Sequence, residues 1–103
     1  RFLGPDGGAT SDGVRAVEYA VAMGVPISSN SWGGGGSSAA MQAALRAAAS
    51  SNHLFIAAAG NDNNDNDANP SYPCCYTEPN VVCVAATTSS DTLASYSNYG
   101  ANS

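Results

Sequence analysis

The sequence predicts an α/β fold built on a parallel sheet, and three observations carry that prediction. Short runs rich in apolar and β-branched residues recur at 54–58 and 80–86, and runs apolar on both faces are what buried parallel strands need. Segments with apolar residues at helical spacing lie before and between the strand segments. Strand, helix, strand in that order is the pattern of βαβ units joined by right-handed crossovers.

Each element has its own justification. Thr10-Ser11-Asp12 offers N-cap chemistry, Val14, Val17 and Val21 recur on one helical face, and Gly24 supplies a C-terminal stop. Residues 26–29 form a short buried strand, followed by the flexible loop Gly33-Gly34-Gly35-Gly36. Ser37 or Ser38 caps a second helix whose Met41, Ala44, Leu45 and Ala48 share a face. After the strand at 54–58, residues 61–69 are almost wholly Asn and Asp, which compete for backbone hydrogen bonds and so form a loop. Residues 80–86 make a third strand, and 93–96 are expected to make another.

Composition narrows the function. With 103 residues, 44% hydrophobic and 11% charged, the chain is one globular domain or part of one. Three Lys plus Arg against eight Asp plus Glu, a net charge of -5, argue against a nucleic-acid or anionic-membrane surface and suit a soluble, cation-binding protein. No apolar stretch approaches the roughly 20 residues of a membrane span. The opening Arg1-Phe2-Leu3-Gly4, without initiator Met or signal peptide, and the end at Asn102-Ser103 lead us to expect an internal fragment of a longer protein. Cys74, Cys75 and Cys83 are too few to pair completely within the chain, and vicinal cysteines rarely bridge each other. We read Cys83 as a small core residue and expect one of the vicinal pair to bond outside this stretch; no metal-ligand cysteine spacing is present.

The ends of two strands carry the functional signal. The run 54–56 closes on Ala57-Ala58-Ala59-Gly60-Asn61, small residues and then one amide. Small residues let another backbone approach, and in open α/β sheets ligands bind at the carboxyl ends of strands. The run 25–29 closes similarly on Asn30-Ser31-Trp32-Gly33-Gly34, so the two strands share a cleft lined mainly by backbone, a site for an extended peptide. The lone His53, wedged between a helix end and a buried strand, reads as structural or solvent-facing rather than catalytic. Asp62, Asn64 and Asn66 have the alternate spacing of a calcium loop, but the required Gly and terminal Glu are missing. Gly4, Gly7 and Gly8 make no phosphate-binding fingerprint.

Six blocks together resemble the middle of a subtilisin-like serine protease of the S8 family. They are Phe2-Leu3-Gly4-Pro5-Asp6-Gly7, Val17-Glu18-Tyr19-Ala20, Asn30-Ser31-Trp32-Gly33-Gly34, Ala57-Ala58-Ala59-Gly60-Asn61, Tyr72-Pro73 and Leu93-Ala94-Ser95-Tyr96-Ser97-Asn98-Tyr99-Gly100, in the family's order across residues 1–103. The resemblance implies a partial three-layer αβα, Rossmann-like fold and a serine endopeptidase in which Asn61 donates its side-chain amide to the oxyanion. That role agrees with a lone amide at a strand's carboxyl end, where a preorganised donor can meet developing negative charge. By the same resemblance Gly7-Gly8 and Ser31-Trp32-Gly33 flank an extended substrate. Ser31, Trp32, Gly33, Ala58, Ala59 and Gly60 then wall the pocket for the side chain before the scissile bond, with Ser71 on its floor and Asp62 on its rim. A cis bond is implied at Tyr72-Pro73. A weak structural calcium site is implied at the carbonyls of Cys74, Tyr76 and Val81, where Thr77-Glu78-Pro79 lengthens the loop and Cys74-Cys75 departs from the usual residues. No organic cofactor is expected. The implied partners are a peptide or protein substrate and the parent's pro-segment, and the implied location is secreted or lumenal. The triad Asp and His are expected before residue 1 and the Ser after residue 103. Two rivals follow from the same residues: a peptide-binding module that has lost its triad, and a nucleotide-binding α/β domain disfavoured by the missing glycine fingerprint.

Overall fold

The computed structural model describes residues 2–102; Arg1 and Ser103, the bounds of the expected domain segment, lie outside them. Helix α1 spans Thr10–Ala22, strand β1 Ile27–Asn30, helix α2 Ala39–Ser50, β2 Leu54–Ala58 and β3 Val81–Val84. All strand pairs are parallel in the order β1-β2-β3, with Ile27 opposite Leu54 and Phe55 opposite Val81. The α/β parallel reading therefore holds, and β1-α2-β2 is the expected βαβ unit. The second connection, residues 59–80, contains no helix or strand. A loop of that length inside a compact domain usually carries function.

Local chemistry explains the boundaries. Helix α1 ends in a Schellman arrangement: Val25 N–H reaches the Ala20 carbonyl and Gly24 N–H the Val21 carbonyl, both at 3.0 Å. Gly24 takes the left-handed φ of 69° that this turn needs. The other end differs from expectation. Ala9 is the N-cap and no side chain caps it, because the helix starts at Thr10 and so places Thr10, Ser11 and Asp12 inside the first turn. There Asp12 still complements the helix dipole and pairs with Arg15 at 3.6 Å. In α2, Ser38 is the cap, its Oγ accepting from Met41 N–H at 3.3 Å.

The helices cover one face of the sheet. Met41, Ala44, Leu45 and Ala48 of α2 and Val17 of α1 pack into one core with Phe55 and Ala57 of β2. The opposite face carries Ile27, Val82 and Val84, which are 56%, 41% and 49% exposed. The described residues thus supply two of the three expected layers, and the strands are not covered on both faces by this stretch. Asn80 fastens the two layers, its Nδ2 donating to the carbonyls of Leu45 and His53 at 3.0 Å each.

Two expectations are corrected. Residues 93–96 form no strand: Leu93 makes a single antiparallel bridge to Thr87, and the chain then turns through a Ser97 N–H to Ala94 carbonyl bond of 2.9 Å. Ser97 Oγ takes up the Ala86 N–H, so a side chain supplies the partner a strand neighbour would have given. The cysteines pair within the chain. Cys74 bonds Cys83 with Cα atoms 4.9 Å apart, and Cys75 is left free. The 71–80 loop folds back along β3, which brings Cys74 to the strand's edge. Cys83 is accordingly half-buried rather than a core residue.

Candidate functional site

The register of β1 and β2 sets the site. Asn30 lies opposite Ala57, so Ser31-Trp32-Gly33 leaves β1 at the level where Ala58 ends β2. Between these two exits lies a cleft of about 450 Å³, bounded by Ser31–Gly34 on one side and by Ala58, Gly60, Asn61 and Asp62 on the other, with Ser71 at its base. A bond from Gly34 N–H to the Tyr72 carbonyl, 3.0 Å, ties the first wall to the floor. Ser71 N–H in turn reaches Cys75 Sγ at 3.2 Å, and the Tyr72-Pro73 peptide is cis.

Asn61 projects from this cleft exposed and without a hydrogen bond among the described residues. Its backbone, by contrast, is fixed on both sides. Asn98, fully buried, accepts from the N–H groups of Asp62 and Asn64 at 2.7 and 3.3 Å and donates to Asn66 Oδ1 at 3.1 Å. Asn66 donates to the Ala59 carbonyl at 3.0 Å. Gly60 has φ +116°, and a Cβ there would collide with the Asn98 amide. The residue before Asn61 must therefore be glycine for two reasons, the backbone conformation and the contact. Sequence reasoning missed Asn66 and Asn98. The Ser97-Asn98-Tyr99-Gly100 block was the available signal, but nothing local shows that an amide is buried.

The remaining expected residues are placed as follows. Ala59 stands behind the wall rather than on it: it is buried, and its N–H bonds the Val84 carbonyl at 2.9 Å. Gly7 and Gly8 lie outside the cleft, where Gly4 and Gly7 pair in a tight turn; Phe2 reaches Trp32 ring edge to face, centroids 5.1 Å apart. Asn64 Nδ2 donates to Asn66 Oδ1 and to the Asn69 carbonyl, and Asn66 Nδ2 donates to the Ala59 carbonyl, so the two amides brace the loop. Cys74, Tyr76 and Val81 line a separate hollow of about 280 Å³ together with Glu78. Glu78 Oε1 pairs with Arg46 at 3.0 Å, whereas Oε2 is buried without a partner among the described residues. No group of three or more His, Cys, Asp or Glu among the described residues is arranged to hold a metal.

His53 and Ser28 have the spacing of a catalytic pair, Nε2 to Oγ 2.9 Å, yet they cannot serve as one. The ring is 1% exposed, both residues lie away from the cleft, and the group orienting Nδ1 is the Val25 carbonyl at 2.6 Å rather than a carboxylate. His53 is structural, as its sequence context indicates.

Comparison with known proteins agrees with this geometry. A cold-adapted subtilisin-like serine proteinase of known structure superposes with a TM-score of 0.82 at 36% identity, over 98% of this chain and 36% of its own. A protease from Pseudoalteromonas arctica gives 0.86 at 34% identity, over 99% and 32%. A lanthipeptide protease gives 0.88 at 25% identity, over 97% and 34%. The chain therefore spans about a third of the length of these solved proteases. None of the curated proteins compared with it matches. The model of the subtilase family, the S8 peptidases, matches residues 1–103 throughout. The parallel sheet, the glycine-bounded cleft and the match over the whole sequence lead to one conclusion: the chain belongs to the subtilase family.

Proposed function

We propose that residues 1–103 are an internal part of the catalytic domain of a secreted or lumenal serine endopeptidase, supplying its substrate cleft and oxyanion donor. The triad Asp, His and Ser belong to the flanking parts of the parent. The observation that carries the reading is the convergence of Ser31–Gly34, Gly60, Asn61 and Ser71 on one cleft, with the Asn61 side chain unengaged.

In that role the substrate lies extended, adding its backbone to Ser31-Trp32-Gly33, with Gly7-Gly8 as the other flank. The side chain before the scissile bond enters between Gly33 and Gly60. Ala58 and the glycines fill little of that space, so a large apolar group fits, each buried methylene contributing roughly 0.8 kcal/mol. When the parent's serine attacks the scissile carbonyl, the oxygen gains charge, and Asn61 Nδ2 donates to it. Asn98 and Gly60 hold the backbone on either side of Asn61, so the amide is presented from a fixed turn as the charge forms.

A structural calcium ion would be held by the carbonyls of Cys74, Tyr76 and Val81. Glu78 lines the same hollow, and its Oε2 is buried without a partner among the described residues; this supports the reading, because a hard cation takes oxygen ligands. Such an ion would brace the loop below the cleft and take no part in bond breaking. A pro-segment of the parent is the further expected partner.

The test is Asn61→Leu in the full-length enzyme. The expected outcome is a kcat about 10²–10³-fold lower with KM little changed, a magnitude known from loss of the oxyanion amide in a subtilisin and adopted on that basis. An unchanged kcat would sink the assignment. A triad-less binding module, the rival reading, predicts instead that the wild-type parent binds peptides without hydrolysing them.

A further inference from the structure

We propose that His53 is a positioning residue for the substrate-binding segment Ser31-Trp32-Gly33, acting through a one-way chain of hydrogen bonds along β1. The inference rests on the endopeptidase reading above.

The direction of the chain follows from what each group can do. The Val25 carbonyl only accepts, so the hydrogen sits on His53 Nδ1, at 2.6 Å. In the neutral ring that leaves Nε2 as an acceptor, and Ser28 Oγ–H donates to it at 2.9 Å. Ser28 Oγ is then free to accept from Asn30 Nδ2 at 2.9 Å. The second amide hydrogen of Asn30 goes to the Ile56 carbonyl at 3.1 Å, which leaves Asn30 Oδ1 to accept from Trp32 Nε1–H at 3.2 Å. Fixing the tautomer of His53 thus fixes the hydroxyl rotor, the amide orientation and the indole in turn. Ser28 and Asn30 lie on one side of β1, so the chain runs from the amino end of the sheet to the cleft at its carboxyl end.

Packing and hydrogen bonding act together on the indole. Trp32 meets Phe2 and Phe55 edge to face, at centroid distances of 5.1 and 6.3 Å, and its far ring edge rests on Gly13 of α1. The bond to Asn30 Oδ1 fixes the ring, and with it the backbone on which the substrate would pair. An apolar residue would fill the site of His53 without burying two ring nitrogens; what an apolar side chain cannot supply is a donor at one end and an acceptor at the other.

The experiment compares His53→Gln and His53→Asn in the full-length enzyme, on a peptide extended before the scissile bond. The Gln amide occupies the place of Nε2 and accepts from Ser28; the Asn amide occupies the place of Nδ1 and reaches only Val25. The expected result is a KM near wild type for Gln and a KM raised about fivefold for Asn, the worth of one net hydrogen bond, with kcat unchanged in both. Adding Trp32→Phe to His53→Asn should raise KM by a smaller factor than Trp32→Phe does in the wild type, because the chain is already broken. Equal KM for Gln and Asn, or strict additivity with Trp32→Phe, would overturn the proposal. If a His53 variant fails to fold, Ser28→Ala replaces it in the cycle with the same expectation. Absence of hydrolysis by the wild type would refute the endopeptidase reading instead. The Ser28→Ala and Trp32→Phe cycle read in Tm then decides on the chain itself: coupling is expected, and independence refutes it.

Discussion

Asp62 carries the one charge among the residues lining the cleft, and Asn98 fixes its backbone N–H at 2.7 Å while its side chain faces solvent. On the endopeptidase reading proposed above, a charge held at the rim would attract Lys or Arg before the cleaved bond and repel Asp or Glu, by less than about 1 kcal/mol because water screens it. Profiling a peptide library at low salt should show preference for Leu, Met, Phe or Tyr, some cleavage after Lys and little after acidic residues. Asp62→Ser should raise relative cleavage after Asp and Glu, and no such gain would show that Asp62 does not face the substrate. The place of Asn61, directly after a strand of small residues, was legible in the sequence because its signal is local; the rim place of Asp62 came only with the family resemblance. Asn66 and Asn98 were not, since their meaning lies in bonds that join positions 32 or more residues apart.

Elements with strong periodicity were read well. The face of α2, the strand 54–58 and the Gly24 stop all stand as the spacing indicated. Misreadings occurred where tertiary partners decide. The strand expected at 93–96 lost its pairing to the Ser97 side chain, and Cys74 found Cys83 because a loop returns along β3. The same return shapes the Glu78 hollow. Phe55 N–H and Ala59 N–H bond the carbonyls of Asn80 and Val84, so the alternate carbonyl of Val81 points off the free edge of the sheet, toward that loop. Calcium at ten times its dissociation constant should stabilise the full-length enzyme by about 1.4 kcal/mol. A Tm indifferent to chelator and to added calcium would dismiss the ion.

At the scale of the molecule, the bare sheet face of Ile27, Val82 and Val84 is an apolar surface that this stretch does not cover. The 103-residue segment made alone should bind a hydrophobic dye, aggregate readily and hydrolyse no peptide. Hydrolysis blocked by a serine-directed inhibitor would mean that the nucleophile lies within it. The two-layer core was legible from helix and strand periods, and strands left without cover follow from the expected internal fragment; which face lies bare was not legible, because the runs look alike whether buried on one face or two. The clasp that Asn98 makes on Asp62 and Asn64 has a bearing on biosynthesis as well. A chain emerging from the ribosome presents Asn61 long before Asn98, and until the later residue arrives the N–H groups of Asp62 and Asn64 lack the acceptor that fixes them in the folded chain. The turn that carries Asn61 is therefore completed only once most of this stretch has been made.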